Sequence, residues 1–396
     1  MIKNFILKGI DTRISILTLT VIGLLTILIA GQVYNYEIEL SRQDSRYYIL
    51  LAENFNNYFV LDQQVAMRVL PSFLARIVGN TFSLNIYYSF KVLTYFFFFI
   101  LLFKTFFFFK KFNSPDYLAL SSVLIIYFSN NSVIYTIFNS YQLVDLLLYL
   151  FSIMIIEAAI FDKKKQLFIF SFLAIFTKEF LIMLIISGYL INYFNTKDKK
   201  NIIYFISILI IFFTHYYFAG SLNLKDPNIS KIIINDIGLF KNYFREAYLC
   251  LIQDRNYFFF FPFLFLILSV DFLKLIKKYF FLFLYMLIPV LISIFLYNHI
   301  GENFFRVYYQ GFFIFVLFSL IFIIKKTSNH YYLSLAFFLL PLSFLIDFVF
   351  IFFNINQDGF TKYYQVTRYE YFSGYFLFCL IFIIILLKIK KIKHQS

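Results

Sequence analysis

Charge is scarce in this chain: Asp, Glu, Lys and Arg make up 14% of 396 residues, against 62% apolar types and a mean hydropathy of +0.79. A soluble core of this size cannot enclose so much apolar surface, which excludes a soluble globular domain of useful size and predicts a membrane protein. Cysteine is nearly absent. Cys250 and Cys379 lie far apart without CxxC spacing, so neither a disulfide framework nor a thiolate metal site is indicated. The four histidines do not cluster. No metal site and no cofactor are therefore expected. Fixed-period repeats and flexible linkers are also missing, so residues 1–396 are expected to fold as one transmembrane unit.

What the chain does contain is apolar runs near the roughly 20 residues that a helix needs to cross a bilayer, such as Ile14 to Val33. The formal charge of +14 would suit nucleic acid if it were clustered on one domain, but the lysines fall in short groups between these runs. Seven such groups include Lys104/Lys110/Lys111, Lys163 to Lys165, Lys197/Lys199/Lys200 and Lys325/Lys326. This is the pattern of cytoplasmic loops that retain positive charge, and no nucleic-acid partner is expected. If all seven groups face the cytoplasm, about twelve spans fit, starting near residues 14, 83, 116, 144, 166, 180, 202, 257, 279, 308, 331 and 373. Both termini are then cytoplasmic and the expected location is the cell (inner or plasma) membrane. The first run, preceded by Lys3, Lys8 and Arg13, is too long for a signal-peptide core and reads as a retained span.

The expected architecture is thus all-α, with interfacial helices in the first outer loop, about 33–81. A second large outer loop covers about 220–256. In the first loop Tyr48, Leu51, Ala52 and Phe55 share a helical face; in the second, Ile233, Ile237, Phe240 and Phe244 do. Both stripes suit helices lying in the membrane interface. The stretch "KKKQLFIFSFLAIFTKEFLIMLIISGYLINYFNTKDKK" is too short for two ordinary spans yet basic at both ends. It predicts two short, protein-shielded helices meeting at "TKE". One long tilted helix is the alternative.

The cations are sorted by type. All nine arginines except Arg13 fall on the outer side of this topology, against the positive-inside trend. A planar, bidentate guanidinium suits phosphates and carboxylates; lipid headgroups and helix-end snorkelling would also hold arginine there. Among the scarce outer acids, Asp44 follows the first span and shares its loop with Glu37, Glu39, Glu53 and Asp62. A carboxylate among arginines at a membrane surface can act as a general base toward an acceptor hydroxyl. Equally, Ser41-x-x-Asp44 has the form of a capping box, and Asp44 can cap the helix that follows.

"DSRYYILLAENF", followed by "MRVLPSFLARI", resembles the first outer loop of GT-C glycosyltransferases, polytopic enzymes that use polyprenyl-phosphate sugars. Members carry a catalytic acid just after the first span, then an aromatic-rich juxtamembrane helix and often an Arg-x-Leu-x-Pro-like segment, here Arg68-Val69-Leu70-Pro71. "YQLVDLLLYLF", with Asp145, and "FLAIFTKEFLIML" match the same order, and the resemblance covers mainly residues 1–200. It implies Asp44 as the base, with Arg68 and Lys178 near the donor phosphate. Asp145, Glu179 and Glu39 are secondary acidic candidates. Arg306 and Arg368, at the starts of late spans, are further phosphate-ligand candidates. The partners implied are a lipid-linked sugar donor and a glycan or glycolipid acceptor, with an extracytoplasmic active site. No Asp-x-Asp or Glu-x-Asp accompanies Asp44, so a divalent metal, though possible in this family, is not supported.

Each motif has a plainer explanation. Lys178 and Glu179 can neutralise one another, and Asp145 can cap the fourth span. Two other functions also fit a chain of this kind. An O-antigen-type polysaccharide polymerase or ligase has similar spans, but its main outer loop falls late in the chain. A lipid-linked glycan flippase or transporter would place charges mid-span, where this sequence has few, Lys91 being one.

Overall fold

A computed structural model describes residues 11–33, 43–54, 66–129, 143–221, 269–285, 304–328 and 332–341. All regular structure among these residues is helical. The helices are α1 Thr12–Val33, α2 Gln43–Glu53, α3 Val69–Phe82, α4 Ile86–Lys110, α5 Asp116–Ser129 and α6 Leu143–Ile160. They continue with α7 Lys164–Ile175, α8 Leu181–Thr196, α9 Lys199–Ser221, α10 Val270–Lys278, α11 Phe304–Thr327 and α12 Tyr332–Pro341. Elements therefore begin close to most of the span starts expected from the sequence. The spans near 257 and 373, the loop at about 220–256, Glu39 and Arg368 lie outside the described residues.

Among the described residues three helices, in α4, α6 and α9, are long and apolar enough to cross a membrane. Their environments differ sharply: 89% of the apolar window of α6 is buried inside the protein, against 17% of that of α9. α6 is the central post, packed by α4, α7 and α8. α9 presents Ile203, Ile206, Ile210, Phe213 and Tyr217 outward, and α1 presents Leu17, Val21, Leu24 and Leu28. These positions recur at helical spacing and form continuous apolar stripes, larger than a monomer in water tolerates, so they are surfaces for lipid.

Local sequence explains the boundaries. Pro71 sits in the first turn of α3, where its missing N–H costs no helical bond. Ser83, left-handed at φ 53°, closes α3, and the Asn85 side chain accepts from the Tyr87 amide at 2.9 Å to open α4. Close helix packing uses glycine. A Cβ on Gly23 of α1 would fall 2.5 Å from Phe99 Cε1 of α4, and one on Gly188 of α8 would fall 3.2 Å from Ile155 of α6.

The break expected at "TKE" is present. α7 has 12 residues and α8 has 16, about 18 and 24 Å long, each short of a roughly 30 Å hydrocarbon core. Residues 176–180 form the turn between them. It is held by the Thr177 hydroxyl donating to Leu173 O at 3.1 Å and by the Leu181 amide donating to Lys178 O at 3.1 Å.

Candidate functional site: a buried charge cluster at one end of the bundle

The site is assembled from five segments separated in sequence. α2 carries Tyr48, Leu51 and Ala52 on one face, as its pattern predicts, and all three are buried. That face packs against α3 and α4, so its apolar stripe is covered by protein. The Ser72 hydroxyl of α3 donates to Tyr48 O at 3.0 Å and locks the two elements together. The start of α3 is tied in turn to the break between α7 and α8, because the Leu70 amide donates to Phe176 O at 2.9 Å. From the fourth side α9 brings His215, whose Nε2 lies 3.1 Å from Met67 O and whose ring packs on Phe176 at 4.8 Å between centroids. A carbonyl only accepts, so this contact assigns the proton to Nε2.

Within this frame lie two ion pairs. Arg68, immediately before α3, presents its guanidinium to Glu179 as a fork: Nε donates to Oε2 at 2.9 Å and Nη2 donates to Oε1. Its Nη1 donates to the Tyr48 hydroxyl at 3.2 Å. Lys178 turns the other way and donates to Asp145 Oδ1, in the first turn of α6. The side chains of Lys178 and Asp145 are 3% and 2% exposed, whereas Glu179 is 28% exposed. One pair is sealed inside the bundle; in the other Arg68 is buried and Glu179 is partly exposed.

Four residues selected from the sequence, Arg68, Asp145, Lys178 and Glu179, thus meet in one place. The ion pairs differ from the simplest expectation: Lys178 pairs with Asp145 and Glu179 with Arg68. Successive residues in this turn point apart, and each finds an opposite charge on a different element. Asp145 serves as an ion-pair partner for Lys178, which accounts for a carboxylate at the start of an otherwise apolar helix. Summed over the four groups the charge is zero, so an incoming phosphate must displace a carboxylate to engage either cation.

Asp44 is the second residue of α2, one helical turn before Tyr48. It therefore lies inside the first turn of that helix. Arg306 is the third residue of α11. Tyr48, Ser72 and His215 were not singled out as site residues from the sequence. The available signal was a tyrosine four residues after Asp44 and a lone histidine in a long apolar helix, each too common to select. Among the described residues, no group of three or more His, Cys, Asp or Glu is arranged to hold a metal ion.

A second charged layer closes the opposite end of the bundle. Glu157, in the last turn of α6, is 2% exposed and is met by Lys104 of α4, Lys111 and Lys163. Nearby, Lys110 pairs with Asp116 at 2.6 Å and Lys164 pairs with Asp198 at 2.6 Å. Thr12 at the start of α1 donates to Asp116 at 3.2 Å. Asp145 and Glu157, the charged residues of α6, are twelve positions apart, which puts the two layers about 18 Å apart along that helix. No protein-family model, no curated protein and no solved structure matches this chain.

Proposed function

We propose that this protein is a membrane glycosyltransferase of the GT-C type. On this reading it transfers a sugar from a polyprenyl-phosphate donor to a lipid-linked or surface glycan acceptor. The observation that carries the reading is the convergence described above. The helix after the first span, the Arg-x-Leu-Pro segment, the start of α6 and the Lys-Glu break come together around one arginine that has a reachable partner. Those are the segments on which the resemblance rests. The Asp145 end is assigned to the extracytoplasmic side, and the lysine-rich Glu157 end to the cytoplasm.

The chemistry is a single inverting displacement. The acceptor hydroxyl oxygen bonds to the anomeric carbon of the donor while the bond from that carbon to the phosphate oxygen breaks. Asp44 takes the hydroxyl proton, and the lipid phosphate leaves with the bonding electrons. Arg68 exchanges Glu179 for the phosphate, a swap between two oxyanions that its planar fork accepts equally well. Lys178, held on Asp145, fixes the turn that presents Glu179. Arg306 and Arg368 are the further phosphate ligands in this scheme.

The interrupted α7–α8 pair favours one rival, because short helices meeting at buried charges are also a device of transporters. A single experiment separates the two. The purified protein in nanodiscs is given a panel of synthetic polyprenyl-phosphate sugars and acceptors, beside Asp44→Asn at matched folding. Transfer by the parent and its loss in Asp44→Asn, by a factor of about 10² or more, is the expected result. Full turnover in the variant removes Asp44 from the chemistry. Donor translocation without transfer replaces the enzyme with the transporter.

A further inference from the structure

The lysines at the Glu157 end are unevenly matched with acids. Lys110 has Asp116, and Lys164 has Asp198. Asp162 accepts from the Asn192 amide at 3.0 Å. Three ammonium groups, however, share one carboxylate. Lys104 lies 2.9 Å from Glu157 Oε2, while Lys111 and Lys163 both meet Oε1, the latter at 3.4 Å.

This arrangement is more specific than a solvated basic loop. Glu157 is sealed at 2% exposure and draws two cations from the end of α4 and one from the turn before α7 into one ring. Their side chains remain 23%, 33% and 37% exposed. The ring thus has a closed anionic floor and an open cationic rim with an excess of two positive charges. Crowding of like charges is visible at Lys163, whose ammonium is held below the ordinary lysine range by neighbouring Lys111, with a further contribution from desolvation. Beside the rim stands an apolar wall. Phe161 lies under Lys111 at 5.8 Å and packs on Phe112 at 5.5 Å.

We propose that Lys104, Lys111 and Lys163, organised by Glu157, form a binding site for a phosphate monoester. The match is one of charge and donors. A phosphomonoester carries close to two negative charges near neutral pH and offers several acceptor oxygens, whereas a phosphodiester carries one charge. Lysines bind phosphate as mobile point charges and need no fixed fork. Two sources share this chemistry: a lipid headgroup, which would use the phenylalanine wall, and a soluble phosphate.

The test uses the full-length protein in phosphatidylcholine nanodiscs doped with either phosphatidic acid or phosphatidylglycerol, with native mass spectrometry of the lipids retained. Inorganic phosphate is titrated in parallel against the unfolding temperature. Variants are Lys163→Gln, Lys111→Gln/Lys163→Gln and the control Lys91→Gln, thirteen residues and about 20 Å from Lys104 along α4. Phosphatidic acid should be retained over phosphatidylglycerol, and retention should fall about fivefold for each lysine removed, with no change in the control. Stabilisation by inorganic phosphate without lipid enrichment, lost in the same variants, identifies the soluble source. Equal retention of the two lipids overturns the monoester assignment, and retention or stabilisation unchanged in Lys163→Gln overturns the site. Lys163 is the most exposed of the three, so that single variant remains informative if the double variant does not fold.

Discussion

Removing the charge of Lys178 is the severest small change this structure offers. Lys178 and Asp145 are 3% and 2% exposed, so water cannot replace either partner. At an effective dielectric near 20, a pair about 4 Å apart attracts by about 4 kcal/mol, and deleting one member of a buried pair costs about 3–5 kcal/mol. Lys178→Met removes the buried ammonium that donates to Asp145, and Asp145→Leu removes the buried carboxylate that accepts from Lys178. Each should cost about 3 kcal/mol or more. The double variant behaves differently: with both charges gone no group is left uncompensated, and apolar replacement of a buried pair ranges from neutral to stabilising by about 1–4 kcal/mol. The prediction is a strong coupling in a double-mutant cycle, with the pair of substitutions less damaging than either alone. The assay is reversible unfolding in mixed micelles, monitored by far-UV circular dichroism. Additive losses, or single variants within about 1 kcal/mol of the parent, would refute the claim that this pair holds the break between α7 and α8.

Four further outcomes follow from described contacts. Tyr48→Phe deletes one acceptor and leaves the Arg68–Glu179 fork intact, so it should cost about 1 kcal/mol in the same unfolding assay. Arg68→Lys loses the fork geometry itself and should cost clearly more. Gly23→Leu drives a side chain into Phe99 and should cost about 1–3 kcal/mol, and Phe99→Ala in the same chain should recover part of the loss. At the Glu157 end, the Lys164 ammonium and the Lys200 amide hold the Asp198 carboxyl below the usual carboxylate range. The stabilisation it contributes is present above the unfolded carboxylate value, roughly pH 4, and is lost as pH falls through the depressed folded value. Stability profiles of the parent and Asp198→Asn should therefore converge in acid. A constant offset down to the lowest pH would remove Asp198 as the source.

How legible this was depends on what each residue costs. A charge in an apolar helix is expensive, so Asp145 stood out in the sequence, and the shortness of the flanking apolar runs gave away the break at 176–180. What spacing along the chain does not carry is pairing across it. Lys178 and Glu179 are sequence neighbours with opposite charges, and only the turn geometry sends one to α6 and the other to Arg68. Glu157 is hidden in the sequence for a related reason. Its partners sit in groups whose lysines are explained by membrane topology alone, so nothing in those groups asked for an acid. The clue was available in α6 itself, where Glu157 stands one turn from the end of an apolar run that already carries Asp145. Tyr48, Ser72 and His215 are legible only after folding, because what they contribute is a bond to the backbone or side chain of another segment.

The two carboxylates of α6 also act as a register lock. A piston-like slide of this helix by one turn, about 5.4 Å, would part Asp145 from Lys178 and Glu157 from its three lysines in the same movement. Rotation about the helix axis is opposed in the same way, since the two ends are gripped by different neighbours. α6 is therefore the stator of the bundle. Any opening that admits a large molecule must be taken up by elements outside that grip, such as α9, which packs on α7 and α8, meets the Asp145 end through His215 and leaves most of its apolar window unburied.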